Sequence, residues 1–330
     1  MKKIFFLILL FSNFVYGKES SIIVLMYHRF NEPTHPSTNI SIEKFENQMN
    51  LLSVENFTVL PLSDLMLFFQ KKKILPNKTI FITIDDAYKS VFTEAYPVLK
   101  KYGFPFSVFI STDFISKNEN SNFMTWKMIE DLSNNNVEIL NHTSSHKNLL
   151  DLSYNEIKET IIDAENLIKK KIGKRPAILS YPFGETSKNI EDVVSELKYK
   201  LAFSQHSSPI HLKENTLRLP RFAINEEYGS LDRFKLIINS KPLIPKDISL
   251  LDSISTINSP TIEFRSNKPT IETNCFINNN ANLEKHNVQP DKIIINLSKL
   301  VEKQRYRLNC TYVSDKKELF WFGKMIIHRK

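Results

Sequence analysis

The stretch "IFITIDD" at residues 80–86 joins an apolar run to two adjacent carboxylates, and the fold can be inferred outward from it. Its first five residues are β-branched or aromatic, which is typical of a buried strand. Asp85 and Asp86 stand at the carboxyl end of that strand. Unpaired buried charge is costly, so two neighbouring acids at a strand end indicate a site that uses their charges.

Strand-like and helix-like segments alternate from about residue 21 to residue 225. The elements around the acid pair are a helix predicted at Lys89–Lys101, a strand at Pro105–Ser111, a long helix at Tyr154–Ile172 and strands at Ala177–Tyr181 and Leu217–Ile224. This alternation predicts an α/β fold with a parallel sheet, either wound on both faces or closed as a barrel. In both architectures functional side chains gather at the carboxyl ends of the strands, where the acid pair lies.

The composition changes after about Pro245. Short strands without comparable helices between them are predicted at Thr261–Arg265, Thr270–Ile277, Lys292–Leu297, Tyr306–Val313 and Phe320–His328. We therefore expect an α/β domain at 18–245 and a small all-β, sandwich-like module at 246–330, whose role the sequence does not give. The only two cysteines, Cys275 and Cys310, fall in two of these strands. An even pair in an exported chain favours one disulfide, and two free buried thiols are the alternative if the chain is not exported.

The N-terminus has the pattern of a secretory signal peptide. Lys2 and Lys3 precede a short apolar run, Ile4–Leu10, and Gly17 follows a polar break. The run is short for a membrane span, so we expect cleavage after residue 17 and a secreted or periplasmic protein, with an uncleaved anchor as the alternative. Removing residues 1–17 lowers the formal net charge from +8 to +6. That excess suits an anionic surface or glycan, and no nucleic-acid motif accompanies it.

A second group of chemically useful residues is "NHTSSH" at residues 141–146, directly after a strand predicted at Val137–Leu140. Two histidines and one carboxylate make a three-ligand site with open positions, which a catalytic Zn²⁺ requires. The second carboxylate can then take a proton from the water that the metal activates. Taken alone, each motif is weak, because paired acids often form a turn and His-x-x-x-His often lies on a solvated helix face. Their joint placement at two strand ends supports the metal site.

The three motifs of this region resemble those of the polysaccharide deacetylases of the NodB-homology type (carbohydrate esterase family 4). "TIDDA" at 83–87, "HTSSH" at 142–146 and "SYPFG" at 180–184 are similar, in order, to Thr-Phe-Asp-Asp-Gly, His-Ser/Thr-x-x-His and Arg-x-Pro-Tyr-Gly. The resemblance covers about residues 22–225. It implies a distorted (β/α) barrel of about seven strands, a divalent metal, and removal of N-acetyl groups from an amino-sugar polymer.

The resemblance also implies a role for individual residues. Asp85 is the general base, while Asp86, His142 and His146 bind the metal. Zn²⁺ is the expected metal, and Co²⁺, Ni²⁺ and Mn²⁺ are alternatives that such ligands accept. The backbone N–H of Phe183 contributes to the oxyanion hole.

Two further elements are more similar to the subgroup that acts on exported poly-N-acetylglucosamine. These are Tyr27-His28 near the start of the domain and "YPFGE" at 181–185. In that subgroup the histidine protonates the leaving amine, so His28 is the predicted general acid, with a buried or capping histidine as the alternative. The expected partner is an N-acetylated amino-sugar polymer or cell-envelope glycan. Peptidoglycan and a lipid-linked sugar stay open as substrates.

Two departures from the motifs leave other functions open. Ala87 replaces a glycine, which weakens the expectation of a tight turn after the acids. Ser180 replaces the arginine that normally pairs with the base, and Arg221 is the candidate to supply that charge from another strand. A catalytically inactive glycan-binding protein is therefore one alternative. Two histidines and one aspartate also occur in non-haem iron oxygenase sites, but that chemistry needs no base beside the carboxylate ligand, so the Asp85–Asp86 pair is evidence against it.

Overall fold

The computed structural model describes residues 21–115, 121–278, 282–289 and 291–330, and only the backbone of residues 282 and 284–289. The signal peptide predicted at residues 1–17 lies outside these ranges. None of the helices within them is long and apolar enough to cross a membrane.

The chain forms nineteen strands and seven α-helices within the described ranges. The strands are β1 (Ile22–Tyr27), β2 (Arg29–Phe30), β3 (Asn39–Ile40), β4 (Thr58–Val59), β5 (Thr79–Asp85), β6 (Ser107–Ile110), β7 (Glu138–Asn141), β8 (Ile178–Ser180), β9 (Leu201–Phe203), β10 (Phe222–Ala223), β11 (Lys241–Pro242), β12 (Pro245–Lys246), β13 (Ile254–Ser255), β14 (Thr261–Ser266), β15 (Asn274–Ile277), β16 (Asn282–Gln289), β17 (Lys292–Ser298), β18 (Arg305–Val313) and β19 (Leu319–His328). The helices are α1 (Ile42–Val54), α2 (Leu62–Phe69), α3 (Tyr96–Tyr102), α4 (Trp126–Asn134), α5 (Tyr154–Ile172), α6 (Lys188–Glu196) and α7 (Leu231–Ile238).

The first sheet is the predicted distorted barrel of about seven strands. Its order is β10-β1-β5-β6-β7-β8-β9, with β4 beside β5, and every pair is parallel. The gap between β9 and β1 is closed by the segment that ends in β10. There Leu219 bridges to Phe203 of β9, and Phe222 pairs with Leu25 of β1. Arg221 lies in this closing segment.

The strand predicted at Leu217–Ile224 is too long, because only Phe222–Ala223 is a strand. Pro220 has no N–H to donate to a ladder, and it interrupts the pairing between Leu219 and Phe222. The segment therefore crosses from β9 to β1 instead of running as one strand.

Strand β5 directs Asp85 toward the barrel interior. Ile80, Ile82 and Ile84 belong to the apolar cluster that also contains buried residues of helices α1, α3 and α4, whereas Phe81 packs in the interior cluster with residues such as Phe109. Side chains alternate along a strand, so Asp85 shares the face of Phe81. The carboxylate thus enters the barrel at the carboxyl end of its strands.

The residues after α7 form the predicted small all-β module. One sheet has the order β11-β19-β18-β15, with β13 beside β19, and the other has the order β12-β14-β17-β16. Their facing side chains, such as Ile262, Ile295 and Leu308, make one apolar cluster. Cys275 and Cys310 are directly opposite on β15 and β18, and their disulfide, with an S–S distance of 2.07 Å, confirms the predicted pairing. The domain division at residue 245 stays a prediction.

Candidate active site

The tight turn that an alanine at position 87 put in doubt is present. Asp86 and Ala87 both have left-handed backbone conformations, with φ of 73° and 54°. The Asp86 amide donates to the Phe109 carbonyl at 3.1 Å, and the Ala87 carbonyl accepts from the Met124 amide at 3.0 Å. A non-glycine residue in this region costs about 1–2 kcal/mol. The surrounding hydrogen bonds and the burial of Ala87 therefore hold a strained turn at the end of β5.

Three predicted metal ligands converge beside this turn. Asp86 Oδ1 lies 3.4 Å from His142 Nε2 and 3.3 Å from His146 Nε2. One ligand atom from each residue lies within 4.8 Å of the others. Asp86 and His142 are buried, and His146 is partly exposed. The structure thus brings together the three side chains that the two motifs supply.

The donor set fits a divalent metal. Asp86 Oδ1 is buried and has no hydrogen-bond partner among the described residues, which is costly unless a cation is there to take its charge. His142 Nδ1 donates to the Ser180 carbonyl at 2.7 Å, which leaves Nε2, the ring nitrogen nearest Asp86, as the atom to bind a metal. Two imidazoles and one carboxylate are typical of catalytic zinc sites, and related divalent metals accept the same ligands.

Side-chain hydrogen bonds hold the histidine loop, residues 141–146, in place. Thr143 and His146 have positive φ values of 68° and 52°. The Thr143 amide donates to Asn141 Oδ1 at 2.7 Å, and the His146 amide donates to Thr143 Oγ1 at 3.1 Å. Asn141 is in turn fixed by Tyr199, whose hydroxyl lies 2.6 Å from Asn141 Nδ2. These bonds turn the loop so that two histidines four residues apart meet at one point.

Arg221 is the charge partner of Asp85. Its Nη1 and Nη2 lie 2.8 Å and 2.7 Å from the two carboxylate oxygens, and both side chains are fully buried. Ser180 Oγ accepts from Arg221 Nη2 at 2.8 Å and lies 3.2 Å from Asp85 Oδ2. The guanidinium carbon also lies 5.5 Å and 5.6 Å from the ring centroids of Phe109 and Phe203. The small Ser180 therefore leaves the space in which Arg221 reaches the predicted base.

The electrostatics of the cluster keep both acids ionised. Burial by itself would raise the pKa of each carboxyl, but Arg221 and His142 hold the pKa of Asp85 below its ordinary value, and the neighbouring histidines do the same for Asp86. Burial and the nearby His142 lower the pKa of His146 to about 4. At neutral pH the His146 ring is therefore uncharged and its Nε2 can bind a metal.

His28 lies at the same edge of the barrel. It follows β1, whose last residue Tyr27 is in register with Ile84, so His28 is next to Asp85 across the two strands. Burial lowers its pKa, and the charges of Asp86 and Asp85 oppose that shift. The structure brings His28 to the site, and its role as general acid stays a prediction.

Phe183 sits in a strained loop after β8. Its φ is 59°, its side chain is 42% exposed, and its ring meets the His146 ring edge-on with centroids 4.7 Å apart. Among the described residues its amide has no acceptor, which leaves the N–H available for a ligand. A Cβ on the next residue, Gly184, would lie 2.4 Å from the backbone nitrogen of Gln205. Glycine is therefore required where the two loops cross.

A row of aromatic rings flanks the histidines, and no sequence motif predicts it. Successive centroids from Phe183 through His146, Phe114 and Phe123 to Tyr88 are 4.7, 6.1, 5.2 and 5.0 Å apart. Phe114 is 37% exposed, so the row offers apolar surface beside the metal ligands. The aromatic row has no regular sequence spacing, because its residues come from four separate loops. An exposed apolar row next to such a site is typical of a binding surface.

The barrel and its site define a class of protein: a (β/α)-barrel with an Asp-His-His group suited to a metal ion and a neighbouring buried carboxylate. A family model described as polysaccharide deacetylase matches residues 72–202. This match confirms, over these residues, the resemblance to polysaccharide deacetylases that the three motifs predicted.

Individual relatives agree with this assignment. The chain is 24% identical over 184 residues to YxkH of Bacillus subtilis, which is 56% of this chain and 64% of that protein, just under two thirds of its length. It is 24% identical over 235 residues to a poly-beta-1,6-N-acetyl-D-glucosamine N-deacetylase of Staphylococcus aureus, which is 64% of this chain and 81% of the relative.

Two solved structures have the same barrel fold. One is the Streptococcus pyogenes deacetylase PplD in complex with acetate, with a TM-score of 0.62, 20% identity, and coverage of 67% of this chain and 99% of that chain. The other is IcaB from Ammonifex degensii, with a TM-score of 0.58, 19% identity, and coverage of 66% and 96%.

Proposed function

We propose that this protein is an extracytoplasmic, metal-dependent hydrolase that removes N-acetyl groups from an N-acetylglucosamine-containing polysaccharide and releases acetate. The proposal rests on one observation. Asp86, His142 and His146 converge on a point beside Asp85, and Asp85 forms an ion pair with Arg221. Metal ligands and an uncoordinated base are the two parts that hydrolysis of an amide by water requires.

Asp85, Phe183 and His28 would each act at a different step of the amide hydrolysis. When bound, a divalent metal supplies a water of lowered pKa and polarises the acetyl carbonyl. Asp85 takes a proton from the attacking water as the new C–O bond forms. The Phe183 amide donates to the developing oxyanion, where a fixed donor is worth about 3 kcal/mol. His28 gives a proton to the amine as the C–N bond breaks, leaving acetate and a free amino sugar.

The substrate is best supported as a polymer of N-acetylglucosamine. Some of the related proteins are named for deacetylation of the β-1,6-linked polymer. The exposed ring of Phe114 offers a flat apolar face near the metal ligands, on which a sugar ring can pack. The names of these relatives favour exported poly-N-acetylglucosamine over peptidoglycan or a lipid-linked sugar, whereas the Phe114 face suits any of these sugars.

The inactive glycan-binding alternative depended on Ala87 and Ser180. Ala87 adopts the turn that places Asp86, and Ser180 contacts both Asp85 and Arg221. Neither departure removes a part of the site. These contacts support the hydrolase over a protein that only binds glycan.

The direct test is acetate release by the mature chain from β-1,6-linked N-acetylglucosamine oligomers. Chitin oligomers and peptidoglycan fragments complete the panel. We expect release that a chelator abolishes and that Zn²⁺, Co²⁺, Ni²⁺ or Mn²⁺ restores to different extents. Chelator-resistant release would reject the metal role, and no release from any substrate would reject the function.

His28→Gln tests the general acid. An amine leaving group needs a proton, so we expect acetate release from the oligomers to fall about 10²–10³-fold. Hydrolysis of 4-nitrophenyl acetate, whose leaving group needs no proton, should fall less than about tenfold, and bound metal should be unchanged. Equal losses on the two substrates would show that His28 does not act as the acid.

Phe114→Ala tests the aromatic row. Loss of one sugar-stacking ring should raise KM for the oligomers about 2- to 12-fold at unchanged kcat, if the contact is worth the roughly 0.5–1.5 kcal/mol of an aromatic pair. Phe114→Trp, which keeps an aromatic face, is the matched control and should keep KM near the wild-type value. An unchanged KM in the alanine variant would remove the row from the binding surface.

A further inference from the structure

We infer that Arg305, from the C-terminal β module, is a positioning residue for deacetylation that holds the Phe183 peptide with its amide available to the substrate. This inference rests on the proposed function. It gives the module a part in the reaction that its sequence did not indicate.

The contacts of Arg305 lead directly to the site. Its Nη1 donates to the Phe183 carbonyl and lies 3.9 Å from Glu185 Oε1. Glu185 Oε2 in turn accepts from Asn148 Nδ2 at 2.7 Å, two residues beyond the ligand His146. A charged group from the module is thus bonded to the loop that carries the predicted oxyanion donor.

The Phe183 backbone needs such a partner. With φ of 59° and ψ of 2°, Phe183 has a left-handed conformation that non-glycine residues rarely adopt. On one side its ring contacts His146, and on the other its carbonyl receives the charge-assisted bond from Arg305. Two backbone bonds, from the Gly184 amide to the Tyr181 carbonyl and from the Glu185 amide to the Pro182 carbonyl, close the same turn. We expect loss of the Arg305 bond to shift φ at Phe183 and, with it, the direction of the Phe183 amide relative to the neighbouring site residues.

The module is built to make this contact. Arg305 and Arg307 share one face of β18, while Tyr306 between them is buried in the module core. Arg307 Nε donates at 3.1 Å to the carbonyl of Gln205, the residue against which Gly184 packs. Strand β18 therefore contacts the loops after two adjacent barrel strands.

A second strand of the module approaches the barrel just as closely. A Cβ on Gly323 of β19 would lie 2.0 Å from the Ser207 carbonyl oxygen, so this contact requires glycine. Trp321 on the same strand meets Phe222 edge-on, with centroids 5.2 Å apart, and its carbonyl lies 3.3 Å from Ser208 Oγ. Strands β18 and β19 of the module thus both pack against the barrel next to the active-site loops.

Arg305→Met is the test, with Arg305→Lys and Arg329→Met as companions in the full mature chain. Complete loss of an oxyanion donor costs about 10²–10³ in kcat, so a misplaced one should cost about 10–100-fold. We expect this loss in kcat with KM and Zn²⁺ affinity within about threefold of wild type, and partial recovery in the lysine variant, which restores a charged donor. Arg329 donates to the Leu150 carbonyl at 2.8 Å and joins the module to the chain four residues beyond His146 instead of to the Phe183 loop, so Arg329→Met should keep kcat.

The outcomes separate the inference from the proposed function. No acetate release by wild type would overturn both. Wild-type release with an unchanged kcat in Arg305→Met, a change in KM alone, or an equal loss in Arg329→Met would overturn the positioning role only. Should the methionine variant melt below the assay temperature, Arg305→Gln replaces it in the comparison. An unchanged kcat in that folded variant likewise overturns the role.

Discussion

Asp85→Asn should retain the metal and lose about 10³-fold in kcat, whereas Asp86→Asn should lose the metal together with the activity. The two acids are adjacent in the chain, but Asp85 points to Arg221 and Asp86 points to the histidines. An amide at position 85 cannot accept the water's proton, although it keeps the shape of the site. An amide at position 86 removes the only negative charge among the three ligands.

The measurement combines metal content per chain with acetate release, for both variants and wild type. The two variants control for each other, because each replaces one carboxylate by an amide of equal size. Metal loss in Asp85→Asn with metal retention in Asp86→Asn would show that Asp85 is the metal ligand and Asp86 the base. Full activity in both variants would contradict the site.

Arg221→Met should lower the free energy of unfolding by about 3–5 kcal/mol, because it leaves the Asp85 carboxylate buried without its partner. Adding Asp85→Asn removes the stranded charge. The double variant should therefore be more stable than the sum of the two single losses predicts. Urea unfolding of the three variants and wild type at pH 7 measures this coupling, and strictly additive losses would contradict the ion pair as described.

The same pair predicts a pH dependence with a definite sign. Since Arg221 holds the pKa of Asp85 below its unfolded value, the pair stabilises the wild-type fold above the unfolded pKa, and this contribution is lost as the pH falls. In Arg221→Met the buried acid favours its neutral form. Its destabilisation relative to wild type should therefore be smaller at pH 4 than at pH 7, as measured by unfolding at both values.

The parts of the site that the sequence predicted are those encoded locally. The acid pair and the two histidines each follow directly from one strand, and parallel strands place their carboxyl ends at one edge. The long helix Tyr154–Ile172 and its end at Gly173, with φ of 76°, were also predictable from periodicity and a glycine cap.

The parts that were harder to predict depend on contacts distant in the chain. Arg221 is 136 residues from Asp85 and reaches it only because the segment around Pro220 closes the barrel. Arg305 is 122 residues from Phe183, and two arginines spaced by one residue on a strand give no hint of that contact. Helix α7 was missed although Ser230 caps it, accepting from the Arg233 amide, because its short apolar pattern lies in a stretch otherwise interpreted as connecting chain.

The central claim is that one cation is shared by Asp86, His142 and His146 while Asp85 stays free of it. Anomalous diffraction from crystals of the Zn²⁺-loaded protein, recorded on both sides of the zinc edge, tests it most directly. We expect a single strong peak about 2.0–2.2 Å from Asp86 Oδ1 and from the Nε2 atoms of both histidines, with Asp85 still paired to Arg221. A zinc peak elsewhere, or one that Asp85 ligates in place of Asp86, would contradict it.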